Sequence, residues 1–271
     1  ITIAQPLLDG GGGGGLTKNG AGTLTLPSTN TYTGDTTVQV GTLSLGSGGS
    51  IANSSLTRVQ SGATLTGTGT TGPLTIAAGG FHKPGLSPGI TTVAGNYTLN
   101  GTLDIEIGGL AAFSEHDRLT SSQTATLGGV LDVELINGFT PSLGDAFTVV
   151  SVSGSVIGEF DVENLPPVPG LDWLVNYNAN SVVLEVVESQ AGDFDDDGDS
   201  DGADFLEWQR SDSTSAGLTA WQNNYGSPTA PLAAGSSAVP EPTTFMLVLG
   251  TCFIASLSRP RDVKQEFFSH D

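Results

Sequence analysis

Gly22-Thr23-Leu24-Thr25-Leu26 and Gly41-Thr42-Leu43-Ser44-Leu45 are one short phrase written twice. Polar and apolar side chains alternate in each, so each reads as a strand with one buried face and one wet face. The phrase returns in Ala63-Thr64-Leu65-Thr66-Gly67, Gly72-Pro73-Leu74-Thr75-Ile76, Tyr97-Thr98-Leu99 and Gly101-Thr102-Leu103-Asp104-Ile105. Gly, Asn or Ser punctuates the strand ends. Starts fall roughly 10 to 20 residues apart, the spacing of a β-solenoid whose coils bury small apolar side chains against one another. A sandwich also accommodates strands of this length. Aromatic residues are only 7% of the chain, fewer than two packed sheets of this size normally use. The favoured fold is therefore mainly β, a solenoid over residues 1–190.

Outward from these strands the pattern loosens. The six glycines from Gly10 to Gly15 read as a flexible connector or turn. Pro84-Gly85-Leu86-Ser87-Pro88-Gly89 reads as a rigid double turn. Two later strands carry acids at alternate positions, Asp104 with Glu106 and Asp132 with Glu134. Such pairs occur in glycosidases, but a polar strand face turned to water is the plainer reading. Residues 147–152 and 181–187 read as more buried strands, and Phe160, Trp173 and Tyr177 as the closure of the core; carbohydrate stacking by Trp173 is the alternative. His82 and His116 are expected in turns, with His116-Asp117-Arg118 solvated. Gly85-Leu86-Ser87-Pro88-Gly89 has the letters of G-x-S-x-G but belongs to the double turn, so no Ser or Cys stands in a nucleophile-elbow context; no CxxC, HExxH or P-loop is present, and no catalytic role is expected of this region.

Residues 16–45 carry a longer pattern. Leu16-Thr17-Lys18-Asn19-Gly20-Ala21-Gly22-Thr23-Leu24-Thr25-Leu26 is followed by Asn30-Thr31-Tyr32-Thr33-Gly34-Asp35-Thr36-Thr37-Val38 and Gly41-Thr42-Leu43. This resembles the autotransporter-associated β-strand repeat. The resemblance implies a right-handed parallel β-helix in a secreted or surface-displayed protein.

The formal net charge is −20, but the acid is unevenly placed. Residues 1–100 hold only Asp9 and Asp35, whereas eight acids lie between Asp193 and Glu207. No basic patch is large enough to hold a nucleic-acid backbone. The single cysteine, Cys252, allows no disulfide within one chain. The chain starts at Ile1; an incomplete or processed N-terminus is the expectation, so a missing signal peptide says nothing about location.

The acidic concentration is Asp193-Phe194-Asp195-Asp196-Asp197-Gly198-Asp199-Ser200-Asp201-Gly202-Ala203-Asp204. An EF-hand-type loop takes oxygens from positions 1, 3, 5, 7, 9 and 12, with Gly at 6. Counting from Asp193, these are Asp193, Asp195, Asp197, Asp199 through its carbonyl, Asp201 and Asp204, with Gly198 at the sharp turn. So many carboxylates repel one another, and a calcium ion would relieve the repulsion. The stretch resembles the first calcium loop of a type I dockerin, a match that Asp204 at position 12 supports. Trp-Gln recurs at 208–209 and 221–222, so 218–226 resembles the second helix. Its own calcium loop is replaced by 211–217, and Ser200 stands where the family usually has an apolar residue. The resemblance spans residues 191–226 and implies calcium binding and a cohesin-like partner. Pairing with such a partner normally needs both repeats.

After a linker at 227–238, Val239-Pro240-Glu241-Pro242 precedes an apolar run at 245–257 and the cluster Arg259-Pro260-Arg261. The run is short for a stable membrane crossing. Residues 239–261 resemble the PEP-CTERM sorting signal, with Pro240, Glu241, Pro242, Arg259 and Arg261 as its matching residues. The resemblance implies a membrane enzyme of the exosortase type as partner. It also implies transient inner-membrane insertion through a C-terminal hydrophobic helix, then release to the cell surface or medium. Residues 262–271 extend beyond the usual end of the motif. A plain membrane anchor is the alternative. The combined expectation is an exported structural or adhesive protein. The alternatives are a dockerin-bearing accessory of polysaccharide degradation, bound to extracellular polysaccharide or a scaffold, and the C-terminal part of a carbohydrate-active enzyme.

Overall fold

Leu24 lies beside Leu43, Leu43 beside Leu65, Leu65 beside His82, His82 beside Leu103 and Leu103 beside Leu131, all on parallel strands. The repeated phrase is thus stacked in register. A computed structural model describes residues 1–195, 199–211 and 213–226. Asp197, Gly198, the linker 227–238, the sorting residues Pro240, Glu241, Pro242, Arg259 and Arg261, and the tail 262–271 lie outside the described residues. Among the described residues, no helix is long and apolar enough to cross a membrane.

Among the described residues, three seven-stranded sheets wrap one core. The first runs from Thr23–Leu26 to Val162–Asn164 and the second from Leu16–Lys18 to Val156–Ile157, both wholly parallel. The third is parallel from Ser50–Ile51 to Ala146–Val152. It ends in an antiparallel hairpin of Leu171–Asn178 and Ser181–Glu188. Parallel neighbours joined by way of the other two sheets make a right-handed β-helix. Period-two alternation points every second side chain inward: Ala63, Leu65 and Gly67 are buried, while Thr64 and Thr66 are partly exposed. The repeat continues well past residue 100. Its coils lengthen toward the C-terminus, one column passing from Phe81 to Thr102, Val130 and Val162.

The longer pattern at 16–45 has a physical explanation. Lys18, only 6% exposed, donates Nζ to the carbonyls of Gly20 (2.7 Å) and Val40 (2.9 Å), closing two turns. Buried Asn30 accepts from the Leu7 amide and donates to the carbonyls of Ser28 and Ser50, tying three coils. The Tyr32 hydroxyl meets Thr36 Oγ1 at 2.6 Å, and Thr36 meets Ser54 at 3.0 Å. These are the polar groups a thin core must satisfy internally. The six-glycine run is more than a connector: a Cβ on Gly15 would stand 2.5 Å from the Asp35 carbonyl, so glycine allows the close approach. Gly67 marks a similar limit. Its φ is +115°, and a Cβ there would lie 2.0 Å from the Leu45 carbonyl.

The C-terminal end is closed as the aromatic residues suggest. Phe147 packs on Trp173 at 5.8 Å and Phe160 on Tyr177 at 6.0 Å between ring centroids.

His82 differs from expectation. It is not in a turn but wholly buried in the leucine column, with Nδ1 3.2 Å from the Tyr97 hydroxyl. Burial pushes its pKa down to about 3 and that of Tyr97 up. A depressed folded pKa means that the unfolded chain binds the extra proton first. The stability present above the unfolded value of 6.5 is lost as pH falls toward 3. The double substitution His82→Leu with Tyr97→Phe removes both polar partners, so it should stay within about 1 kcal/mol of the parent at pH 7. It should then outlast the parent as pH drops to 4, measured by urea unfolding. Gly67→Ala should destabilise by more than about 1 kcal/mol at any pH, because the added methyl meets backbone in a left-handed conformation.

Candidate functional site

Asp204 organises the acidic segment. It is completely buried, at the start of α1 (Gly202–Ser211). Its Oδ1 accepts the amides of Phe194 (2.6 Å) and Asp195 (3.3 Å), and its Oδ2 accepts that of Asp201 (2.6 Å). One carboxylate therefore folds the segment back on itself. Carboxylate oxygens of Asp193, Asp195 and Asp204 lie within 4.8 Å of one another, as do those of Asp199, Asp201 and Asp204. The two groups share Asp204. Four of the five expected carboxylates, those of Asp193, Asp195, Asp201 and Asp204, thus fall in these groups; Asp199 joins by its side chain where its carbonyl was expected, and Asp197 lies outside the described residues. Hard oxygen donors in this number suit calcium, so the residues present fit the ion. Asp201 also serves α1: its Oδ1 accepts the Ala203 amide at 2.6 Å, an N-cap contact.

A second helix, α2 (Ser215–Asn224), closes the module. Thr214 caps it, accepting the Gly217 amide at 3.0 Å. Trp221 Nε1 donates to the Asp201 carbonyl at 2.5 Å, and the Gly226 amide donates to the Ser200 carbonyl at 2.8 Å. Ser200, the apparent departure from an apolar position, is fully buried and donates its hydroxyl to the Gly192 carbonyl at 3.1 Å. Gly192, at φ +99°, lies so close to α2 that a Cβ would stand 2.7 Å from the Trp221 backbone. Phe205 is the centre of the aromatic packing, 5.4 Å from Trp208 and 4.8 Å from Trp221, with Trp221 5.0 Å from Tyr225. The spacing of the sequence marked the acidic residues, but not the roles of Gly192 and Ser200, which need α2 in place to be recognised.

The second acidic feature lies on the first sheet. Asp104 stacks beside Asp132 and Glu106 beside Glu134. Asp104 pairs with Lys83. His116 and Asp117 are buried, at 2% and 1% exposure, contrary to the solvated turn expected of them. Asp117 Oδ1 accepts the Gly89 amide at 2.6 Å and Oδ2 the Glu106 amide at 3.0 Å, pinning the 84–89 turn to the sheet. The recess among Lys83, Ser87, Asp104, Glu106 and Asp117 holds about 150 Å³, below the range of small-molecule sites. These carboxylates act here as a structural clamp.

Residues 16–45 match the family described as Passenger-associated-transport-repeat. An extracellular serine protease of Serratia marcescens is 31% identical over 190 residues, covering 66% of this chain and 17% of that protein. Another extracellular serine protease of Serratia marcescens is 29% identical over 189 residues, 66% of this chain and 18% of that protein. The adhesin BmaC autotransporter of Brucella suis biovar 1 (strain 1330) is 43% identical over 82 residues, 29% of this chain and 2% of the adhesin. The chain thus carries a passenger-type transport repeat on a parallel β-helix, and spans less than a fifth of the length of these relatives.

Asp117 has a testable signature. Burial, with the charges of Glu106 and Asp104, pushes its pKa up to about 7, against the amides of Glu106 and Gly89. A raised folded pKa contributes stability that is complete below the unfolded value of 3.8 and lost as pH rises through 7. Asp117→Asn places an NH₂ against one backbone donor and should cost about 1–3 kcal/mol at pH 4. The cost should shrink by pH 8, measured as urea midpoints across that range.

Proposed function

We propose that this chain is a surface-displayed, passenger-like β-helix with a structural or adhesive role. The observation that carries this reading is the unbroken register of stacked coils from Leu16 to Asn164, with the passenger-type repeat at its start. A rigid rod of this kind holds whatever it bears away from its point of attachment. The similarity to an adhesin autotransporter and to extracellular proteases supports export. The β-helix contributes no catalytic chemistry in this reading: its paired strand acids are clamped by Lys83 or stacked, and its histidines are buried.

In the same proposal Asp193, Asp195, Asp197, Asp199, Asp201 and Asp204 hold one calcium ion. The ion neutralises the repulsion among them and fixes the junction with the coils. Titration calorimetry on the whole chain should show one calcium site. Asp193→Ala should abolish the heat, with circular dichroism as the check that α1 and α2 remain folded. Absence of calcium heat at millimolar ion would refute the site. The loop–helix pair also suits a second reading, a dockerin-type accessory of polysaccharide degradation docked on a cohesin-like scaffold; the reuse of Trp221 and Ser200 to close the module on itself favours a self-contained unit.

Residues 239–261 complete the proposal as a PEP-CTERM-type signal read by an exosortase-type membrane enzyme. The apolar run inserts in the inner membrane during export and is then removed. Two prolines favour extended chain outside the membrane and a helix start inside it. Mass spectrometry of mature protein from the native host should find a C-terminus near Pro242. Recovery of intact residues 245–271 in surface protein would make the tail a permanent anchor.

A further inference from the structure

The strand Leu171–Asn178 is the outer edge of the third sheet. Its ladder with Ser181–Glu188 is unbroken over eight pairs. In an antiparallel pair every second residue turns its amide and carbonyl away from its partner. The Leu171 amide does so, bonding the Val168 carbonyl at 3.0 Å. By alternation Trp173, Val175 and Tyr177 are the other residues with outward backbone groups. Among the described residues, no backbone group pairs with these three on that side. Natural sheets blunt such an edge with Lys, Pro or a bulge, or cover it. Leu-Asp-Trp-Leu-Val-Asn-Tyr-Asn contains no Lys or Pro, and its register has no bulge.

A cleft of about 610 Å³ lies along this edge, bounded on the other side by the segment 159–168. Consecutive residues 171–175 line it. Successive side chains point to opposite faces, so the strand presents its edge to the cleft and not one face. The rings of Trp173 and Tyr177 belong to the closure of the core; only their backbone groups are on offer. An unpaired edge is a template for one more strand. Charge then selects the strand. Exposed Glu159 and Glu163 stand across the cleft, and among the described residues no Lys, Arg or His lines it. A second copy of the chain would bring the same two acids with it, and an acidic peptide would be repelled in the same way. A strand carrying Lys or Arg is attracted.

We propose that this edge takes up an extended basic segment of a partner protein, paired with the backbone of Trp173, Val175 and Tyr177 and drawn in by Glu159 and Glu163. Fluorescence anisotropy on the whole chain at fixed calcium, with a labelled peptide of alternating Lys and Val, should show binding that weakens with added salt. The same peptide with Glu for every Lys lacks the charge. The same peptide with its two central residues replaced by proline cannot pair. Both should bind more weakly by about tenfold or more. Val175→Pro removes only an outward amide, a change an edge strand tolerates, and should weaken binding by about tenfold or more. Glu159→Lys, at an exposed position, should weaken it several-fold and provides the test if Val175→Pro does not fold. No binding at millimolar peptide, equal binding of either comparison peptide, or unchanged affinity in the folded variants would overturn the proposal. So would a dimer, formed without peptide, that Val175→Pro dissociates, because a second copy would then occupy the edge.

Discussion

In-register stacking of parallel strands is the constraint on which everything else rests. Each coil hands its backbone groups to the next, so no coil can shift by one residue without turning its inward column to water. The column Leu24, Leu43, Leu65, His82, Leu103, Leu131 shows how strictly position is kept. The core is only one side chain deep from each sheet, so its polar intruders must be satisfied within it. Lys18 does this with two carbonyls and Asn30 with three backbone groups. Tyr97 finds room because its neighbours in register are Leu74 and the small Ala125. The stack also needs ends. At its C-terminal end the parallel pattern gives way to an antiparallel hairpin, whose aromatic residues cover the last coil.

The acidic module uses a different economy of contacts. Its helices have little apolar surface of their own, and Leu206 and Tyr225 remain exposed. Buried Asp204, Ser200 and Gly192 connect the loop to α1 and α2 instead. Carboxylates gathered by backbone amides need little further preparation to receive a cation, which gives the calcium proposal its physical basis.

The strand pattern was legible because alternation is a local property. Thr-Leu-Thr-Leu declares its two faces without knowing its neighbours. The solenoid was favoured over a sandwich by the shortage of large aromatic residues, and the stacked sheets bear that out. The acidic positions around Asp193 could be counted for the same reason: a loop places its side chains by spacing. What stayed hidden was whatever depends on a partner far along the chain. His82 looks like a turn residue beside Lys83 and Pro84, and only the register with Leu65 and Leu103 shows it to be core. Asp117 looks solvated until the amides of Gly89 and Glu106 are brought to it.

The central claim is that two kinds of stability are joined in one chain: a coil stack held by its own register, and an acidic module held by calcium. Hydrogen exchange read by mass spectrometry, with and without calcium, tests it most directly. The account predicts that calcium slows exchange of amides such as those of Phe194, Asp201 and Gly226. It predicts that coil amides such as those of Leu43, Leu65 and Leu103 are already protected and do not change. Coil amides that gain protection only with calcium, or module amides indifferent to it, would contradict the account.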